Sequence, residues 1–334
     1  MGVLYIAGAS PGCGKTALVA GLAIALQERG KVPIALKPIA TSQDADNAFY
    51  RRLTPNTPNL DGLPLPLTTE GTLPRPLVEA LHPLARGNHP LLLEGLDVID
   101  PQSPVGRASA AMAIESSAKV VLVAQYYPNL KGEDLAPARS LFGERLLGVV
   151  VNRVWRYQGY RARTQIATSL EEAGLPVLGL VPESRLMLAP TVEEVARCVD
   201  GEIRLFPDKG ETLVEAIMVG GWPLDEGAFI FSRRSHKAVV VRADRPDLQM
   251  AALATSTACI VMTGGLEPVQ YVVYEAEQSG TPLVWTRLPT LEAMERLQGV
   301  AGLATARVLA KGRHFAHLLA THTNLEVLLA SLKG

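Results

Sequence analysis

Residues 5–26 read YIAGASPGCGKTALVAGLAIAL. An apolar run meets a glycine-punctuated turn, the turn ends in Gly14-Lys15-Thr16, and a helical pattern follows at once. Few folds tolerate that order. A strand feeding such a turn aims successive backbone N–H groups at one point, and the helix behind it adds the positive end of its dipole. The pattern predicts a phosphate cradle in which Lys15 reaches the β- and γ-phosphates and the Thr16 hydroxyl ligands Mg²⁺. Gly8, Gly12, Cys13, Gly14, Lys15 and Thr16 would line the bound nucleotide. The usual spacing puts the first glycine at position 9, which is Ala9 here, with Gly8 one residue earlier. Loops of the partitioning-ATPase type carry a second lysine where this chain has Ser10, so that variant is set aside.

Five further apolar runs follow the first, Val3–Ala7: Pro33–Leu36, Pro90–Glu94, Val120–Ala124, Leu147–Asn152 and Val177–Val181. They are apolar at nearly every position rather than alternating, as strands buried on both faces are. The intervals hold crossover helices, so residues 1–184 predict a doubly wound, mostly parallel α/β domain of the P-loop NTPase type. Residues 185–208 read as a connection with one short helix, Val192–Cys198, between Pro190 and Gly201. Residues 209–334 predict a second, smaller α/β domain with runs Ala228–Phe231, Ala238–Val241, Ala258–Met262 and Pro282–Trp285, ending in a helical tail.

Composition narrows the function classes. With 48% hydrophobic and 19% charged residues, the 334-residue chain has the material for two full cores. A formal net charge of −1 and no basic run argue against nucleic acid or acidic lipid as partner. No apolar run reaches the ~18 residues of a membrane span. Three scattered cysteines and an opening without a signal-peptide pattern give a cytoplasmic expectation. His314 and His317 lack an evident third metal ligand.

Other chemistry-bearing residues fall at predicted strand ends, the edge at which open α/β sheets bind ligands. Lys37 ends the second run, Asp44 and Asp46 open the next helix, Glu94 ends the third run and Asn152 the fifth. A threonine, two carboxylates and a lysine beside a phosphate loop compose a Mg·ATP site. This order of motifs, from the phosphate loop through Lys-Pro-Ile-Ala, an Asp-bearing helix, Glu-Gly and Asn to GLPVLGLVPES, resembles dethiobiotin synthetase. The resemblance implies an ATP-dependent phosphoryl transfer to a carbamate. It gives Thr16, Asp46 and Glu94 to Mg²⁺, Lys37 with Lys15 to the reacting oxygens, Asn152 to adenine, and a homodimer to the assembly. After Glu-Gly, where that family continues with small glycine-rich residues, this chain has Leu96-Asp97-Val98.

The second half contains Asp244-Arg245 and, eighteen residues on, Thr263-Gly264-Gly265. These spell the DRTGG domain, and residues 205–315 resemble it. The pairing resembles the N-terminal region of long bacterial phosphate acetyltransferases, in a free-standing version. Both clusters fall past predicted strands, where Arg245 would hold an anion and the glycines admit a ligand close to the backbone. An ion pair within Asp244-Arg245 and a tight glycine bend explain the same residues without a ligand. Two functions stay open: a regulator sensing a nucleotide and a small metabolite, or an ATP-dependent ligase or carboxylase activating a carboxylate or carbamate.

Overall fold

The computed structural model describes residues 2–40, 45–58, 63–97, 100–221 and 227–333, and the chain divides into two compact units. The first holds β1 (Val3–Gly8), β2 (Ile34–Leu36), β3 (Leu91–Glu94), β4 (Lys119–Gln125), β5 (Leu146–Val154) and β6 (Val177–Pro182) in one sheet. Their order is β2-β3-β1-β4-β5-β6 and every pairing is parallel. The chain leaves β1 toward one side of the sheet and later returns to its other side, so the strand order reverses at β1. Open α/β sheets bind ligands at such a reversal, beyond the carboxyl ends of the strands. The fold class is the one expected: a doubly wound parallel sheet followed by a smaller α/β region.

All six residues of β1 are buried, as a central strand requires. The helix after it, α1 (Lys15–Gln27), is buried nearly all round, from Ala17 to Leu26. One side faces the sheet, and the helix Leu309–His322 covers the other. Two glycines permit the close crossing: a Cβ on Gly21 would lie 2.9 Å from Leu319 Cδ1, and one on Gly312 would lie 3.0 Å from Ile24 Cδ1.

The C-terminal segment therefore belongs to the first unit, which comprises residues 1–184 and 306–334, whereas the sequence reading joined it to the second domain. Backbone bonds tie it down: Asn324 N donates to Leu178 O at 2.7 Å and Gly2 N to Leu332 O at 3.1 Å. His314 Nε2 lies 2.8 Å from Ser184 Oγ. Among the described residues no three His, Cys, Asp or Glu side chains gather as a metal site. No helix among them is long and apolar enough to cross a membrane.

The second unit, residues 185–305, is a five-stranded sheet of β7 (Glu202–Leu205), β8 (Ala216–Gly220), β9 (Lys237–Arg242), β10 (Thr257–Thr263) and β11 (Leu283–Trp285). The order is β8-β9-β10-β11-β7, parallel except for β7 against β11. Alternate residues of one strand serve opposite faces. Ala238 and Val240 pack with Val192, Val195 and Leu297, while Val239 and Val241 pack with Phe231, Leu248 and Val272.

Two expectations change here. Ala228–Phe231 lies within a helix, Gly227–Phe231, and the edge strand is Ala216–Gly220 instead. A four-residue apolar run carries no period long enough to separate a buried strand from a buried helical turn. The expected connection 185–208 is part of this unit as well. Its helix Val192–Cys198 is capped by Thr191 and Glu194 bonding each other's backbone N–H groups at 3.1 and 2.8 Å, and β7 joins the sheet.

Candidate nucleotide site

The turn after β1 delivers the chain into α1 through Gly14, which takes the left-handed conformation at φ 110°. No side chain caps this helix start, and the first-turn N–H groups of a helix have no acceptor within it. An anion is the partner such an end suits. Gly14 is required for a second reason: the space a Cβ would fill is held by the amide nitrogen of Asn152. Asn152 comes from β5, is 5% exposed, and donates to the Cys13 carbonyl at 2.8 Å. It thereby ties the loop to the sheet. Cys13 is fully buried, and a Cβ on Gly8 would lie 3.0 Å from its sulfur.

Lys15 is 6% exposed and forms an ion pair with Asp97, which follows β3. Lys37 follows β2, and its backbone is clamped by Asn47: the Lys37 N–H donates to Asn47 Oδ1 at 2.7 Å and Asn47 Nδ2 donates to the Lys37 carbonyl at 2.8 Å. That clamp brings Lys37 to the start of the next helix, α2 (Asp46–Leu53). Lys37 Nζ lies 2.6 Å from Asp46 Oδ2 and 3.3 Å from Glu94 Oε1. Asp46 and Glu94 are each 2% exposed. The structure thus brings Lys15, Thr16, Lys37, Asp46 and Glu94 to one edge of the sheet. Asp44 lies outside the described residues.

Four contributors had no assigned part in the sequence reading. Tyr50, one turn past Asp46 on α2, donates its hydroxyl to Glu94 and accepts from Thr16. Arg307 Nε donates to Asp46 Oδ1 at 2.7 Å. Asp97 and Asn47 complete the set. The i, i+4 spacing of Asp46 and Tyr50 was a readable sign that they share a helix face, whereas nothing local marked Arg307.

Burial holds the Glu94 carboxyl above the usual carboxylate range, and the Asp46 charge pushes the same way; Lys37, Lys15 and the Tyr50 hydroxyl oppose both. Burial likewise raises the Tyr50 hydroxyl well above its ordinary value, reinforced by Glu94 and Asp46. Three cations, Lys15, Lys37 and Arg307, are balanced by three carboxylates, Asp46, Glu94 and Asp97. Two carboxylates and a hydroxyl form the hard-oxygen set that suits Mg²⁺, which takes few protein ligands and completes its shell with water and phosphate. The residues present fit a magnesium–nucleotide complex.

In the second unit, Asp244-Arg245 follows β9, and Thr263-Gly264-Gly265 starts on the last residue of β10. Asp244 pairs with Arg242, not with Arg245, and Arg245 pairs with Asp247 at 2.6 Å. Thr263 Oγ1 lies 2.7 Å from Thr290 Oγ1. Gly264 and Gly265 have φ of 88° and 74°, which an L side chain rarely adopts. Their N–H groups donate to Leu288 O and Thr286 O at 2.9 and 3.1 Å.

Comparison with known proteins places these features. Residues 3–191 match the AAA domain family and residues 194–300 match the DRTGG domain. A phosphate acetyltransferase of Deinococcus radiodurans is 27% identical over 332 residues, covering 89% of this chain and 46% of that protein. The chain thus spans about half the length of that relative. Among solved structures, the MinC:MinD cell division protein complex of Aquifex aeolicus aligns at 17% identity. It covers 56% of this chain and 84% of that one, with a TM-score of 0.40. The CBS and DRTGG domains of the Clostridium perfringens pyrophosphatase regulatory region, complexed with the activator diadenosine tetraphosphate, align at 15% identity. They cover 37% of this chain and 55% of that one, with a TM-score of 0.30.

Proposed function

The chain belongs to the AAA domain family, and from that premise we propose that it is a Mg·ATP-binding regulatory protein whose second, DRTGG unit answers to a small metabolite. The observation that carries this reading is the internal pairing of every cation at the phosphate edge. Lys15 holds Asp97, Lys37 holds Asp46 and Glu94, and Arg307 holds Asp46. Phosphate competes with these carboxylates for the lysines: Lys15 turns toward phosphate oxygens, and Asp97 is released to find another partner. Such an exchange converts nucleotide occupancy into movement of the segment carrying Asp97, which is what a sensor requires.

Magnesium, when bound, would be held by Thr16, Asp46 and Glu94 and would neutralise phosphate charge. The loop N–H groups and Lys15 orient the phosphates, and Asn152 keeps the loop against β5, beside the adenine position implied by the family resemblance. In the second unit, Asp244, Arg245, Thr263, Gly264 and Gly265 form the crevice for the metabolite, which is anionic to suit Arg245. The protein acts in the cytoplasm as a homodimer or higher homo-oligomer.

A second reading is favoured by Lys37, whose ammonium shares the buried carboxylates beside Lys15. Two lysines so placed stabilise charge on a transferring phosphoryl group, as a ligase acting on a carboxylate or carbamate needs. Incubation with Mg·ATP and quantitation of inorganic phosphate separates the two. A sensor binds the nucleotide and releases almost no phosphate, with or without bicarbonate, carboxylic acids or diamines. Phosphate release accelerated by one of these additives overturns the sensor in favour of the ligase.

A further inference from the structure

Arg307 reaches the phosphate edge from a stretch of chain that no phosphate-loop pattern includes. Its Nε donates to Asp46 Oδ1 at 2.7 Å, while Lys37 Nζ holds the other oxygen of the same carboxylate at 2.6 Å. One carboxylate, its side chain 3% exposed, therefore clamps two cations. The Arg307 side chain is 38% exposed, so it joins the buried carboxylate to solvent.

A line of polar contacts connects it to the phosphate loop. It runs from the Thr16 hydroxyl to Tyr50, from Tyr50 to Glu94, from Glu94 to Lys37 at 3.3 Å, then through Asp46 to Arg307. The loop N–H groups take the inner phosphates, and Thr16 with Lys15 marks the β–γ junction. Arg307 is the last member of that line, joined to it through Asp46, one of the carboxylates assigned to magnesium above.

Resting on the nucleotide-site reading above, we propose that Arg307 contacts the terminal phosphate and is the residue by which this site tells ATP from ADP. A triphosphate gives the guanidinium a second anion beside Asp46. A diphosphate ends short of it and leaves the Arg307–Asp46 pair as it stands. Arginine suits the task because its planar fork matches two phosphate oxygens at once.

The test is calorimetric titration of Mg·ATP and Mg·ADP into wild type, Arg307→Ala and Arg307→Lys. Loss of one charge-assisted phosphate contact should weaken ATP about 30-fold, with ADP changed less than about threefold. Arg307→Lys keeps a charge against Asp46 but loses the fork, so ATP alone should weaken by roughly fivefold. If Arg307→Ala does not fold, Arg307→Lys carries the test. Equal weakening of both nucleotides, or no change in either, overturns the inference while leaving the nucleotide site intact. A wild type that binds neither nucleotide removes the nucleotide-site reading and this inference with it.

Discussion

Replacing Asp97 with asparagine should make nucleotide bind more tightly, although it removes an ion pair from the site. Asp97 contacts the phosphate-loop lysine and competes with phosphate for its charge. The side chains are unequal in burial, with Lys15 6% and Asp97 38% exposed. A charge-assisted contact out of water is worth about 1.5–3 kcal/mol. Solvent reaches Asp97, and screening reduces the figure to about 1 kcal/mol. Releasing Lys15 should therefore tighten Mg·ATP by roughly fivefold. The same release leaves a nearly buried ammonium without its counterion, so the ligand-free variant should melt about 2–4 °C lower. Titration calorimetry gives the affinity, and thermal unfolding with and without Mg·ATP gives the stability. Asp97→Asn should start lower and show the larger ligand-induced rise. Unchanged or weaker binding would mean that Asp97 does not compete with phosphate for Lys15.

Gly14→Ala should cost about 2 kcal/mol or more and abolish nucleotide binding, because a left-handed backbone and the Asn152 amide both oppose a Cβ there. Gly30→Ala is the control for backbone strain alone: φ is +71°, nothing lies within 4 Å, and denaturant melts should show about 1 kcal/mol lost with binding unchanged. Lys237 in β9 donates to Thr255 Oγ1, Ser256 O and Thr257 Oγ1, and burial pushes its ammonium down from 10.5 to about 8. Between those values the unfolded chain binds the proton that the folded chain has lost, so folding stability gains as pH rises through the window. Wild type should therefore gain stability relative to Lys237→Met from pH 8 upward in denaturant melts, and a constant difference would contradict that protonation state.

Much of the site was legible because its residues sit at fixed offsets from strand ends. Gly14-Lys15-Thr16 announces the loop, and Lys37, Glu94 and Asn152 end apolar runs that become parallel strands at one edge. Arg307 was not legible, since the segment that carries it returns to the first unit after 121 residues of the second. One trace of that return was present in the sequence. The helix TALVAGLAIAL has no polar stripe, and a helix apolar all round needs a second cover; Leu309–His322 provides it. Ala228–Phe231 misled because four apolar residues fit either a strand or a helical turn, and Ala216–Gly220, with its exposed Val219, shows weaker patterning. The two clusters naming the DRTGG domain lie at the carboxyl ends of β9 and β10. Their ion pairing was not predictable, because Asp244 and Arg245 turn to Arg242 and Asp247 rather than to each other.

On the proposed reading, this phosphate edge binds a nucleotide by drawing Lys15 away from Asp97. Titration of Mg·ATP into wild type and Lys15→Ala, both shown to be folded by their unfolding transitions, tests it most directly. Wild type should bind saturably, and the variant should lose on the order of 100-fold or more in affinity, the scale of a strong charge-assisted phosphate contact. Equal affinity in the two proteins, or no binding to either, would contradict that reading.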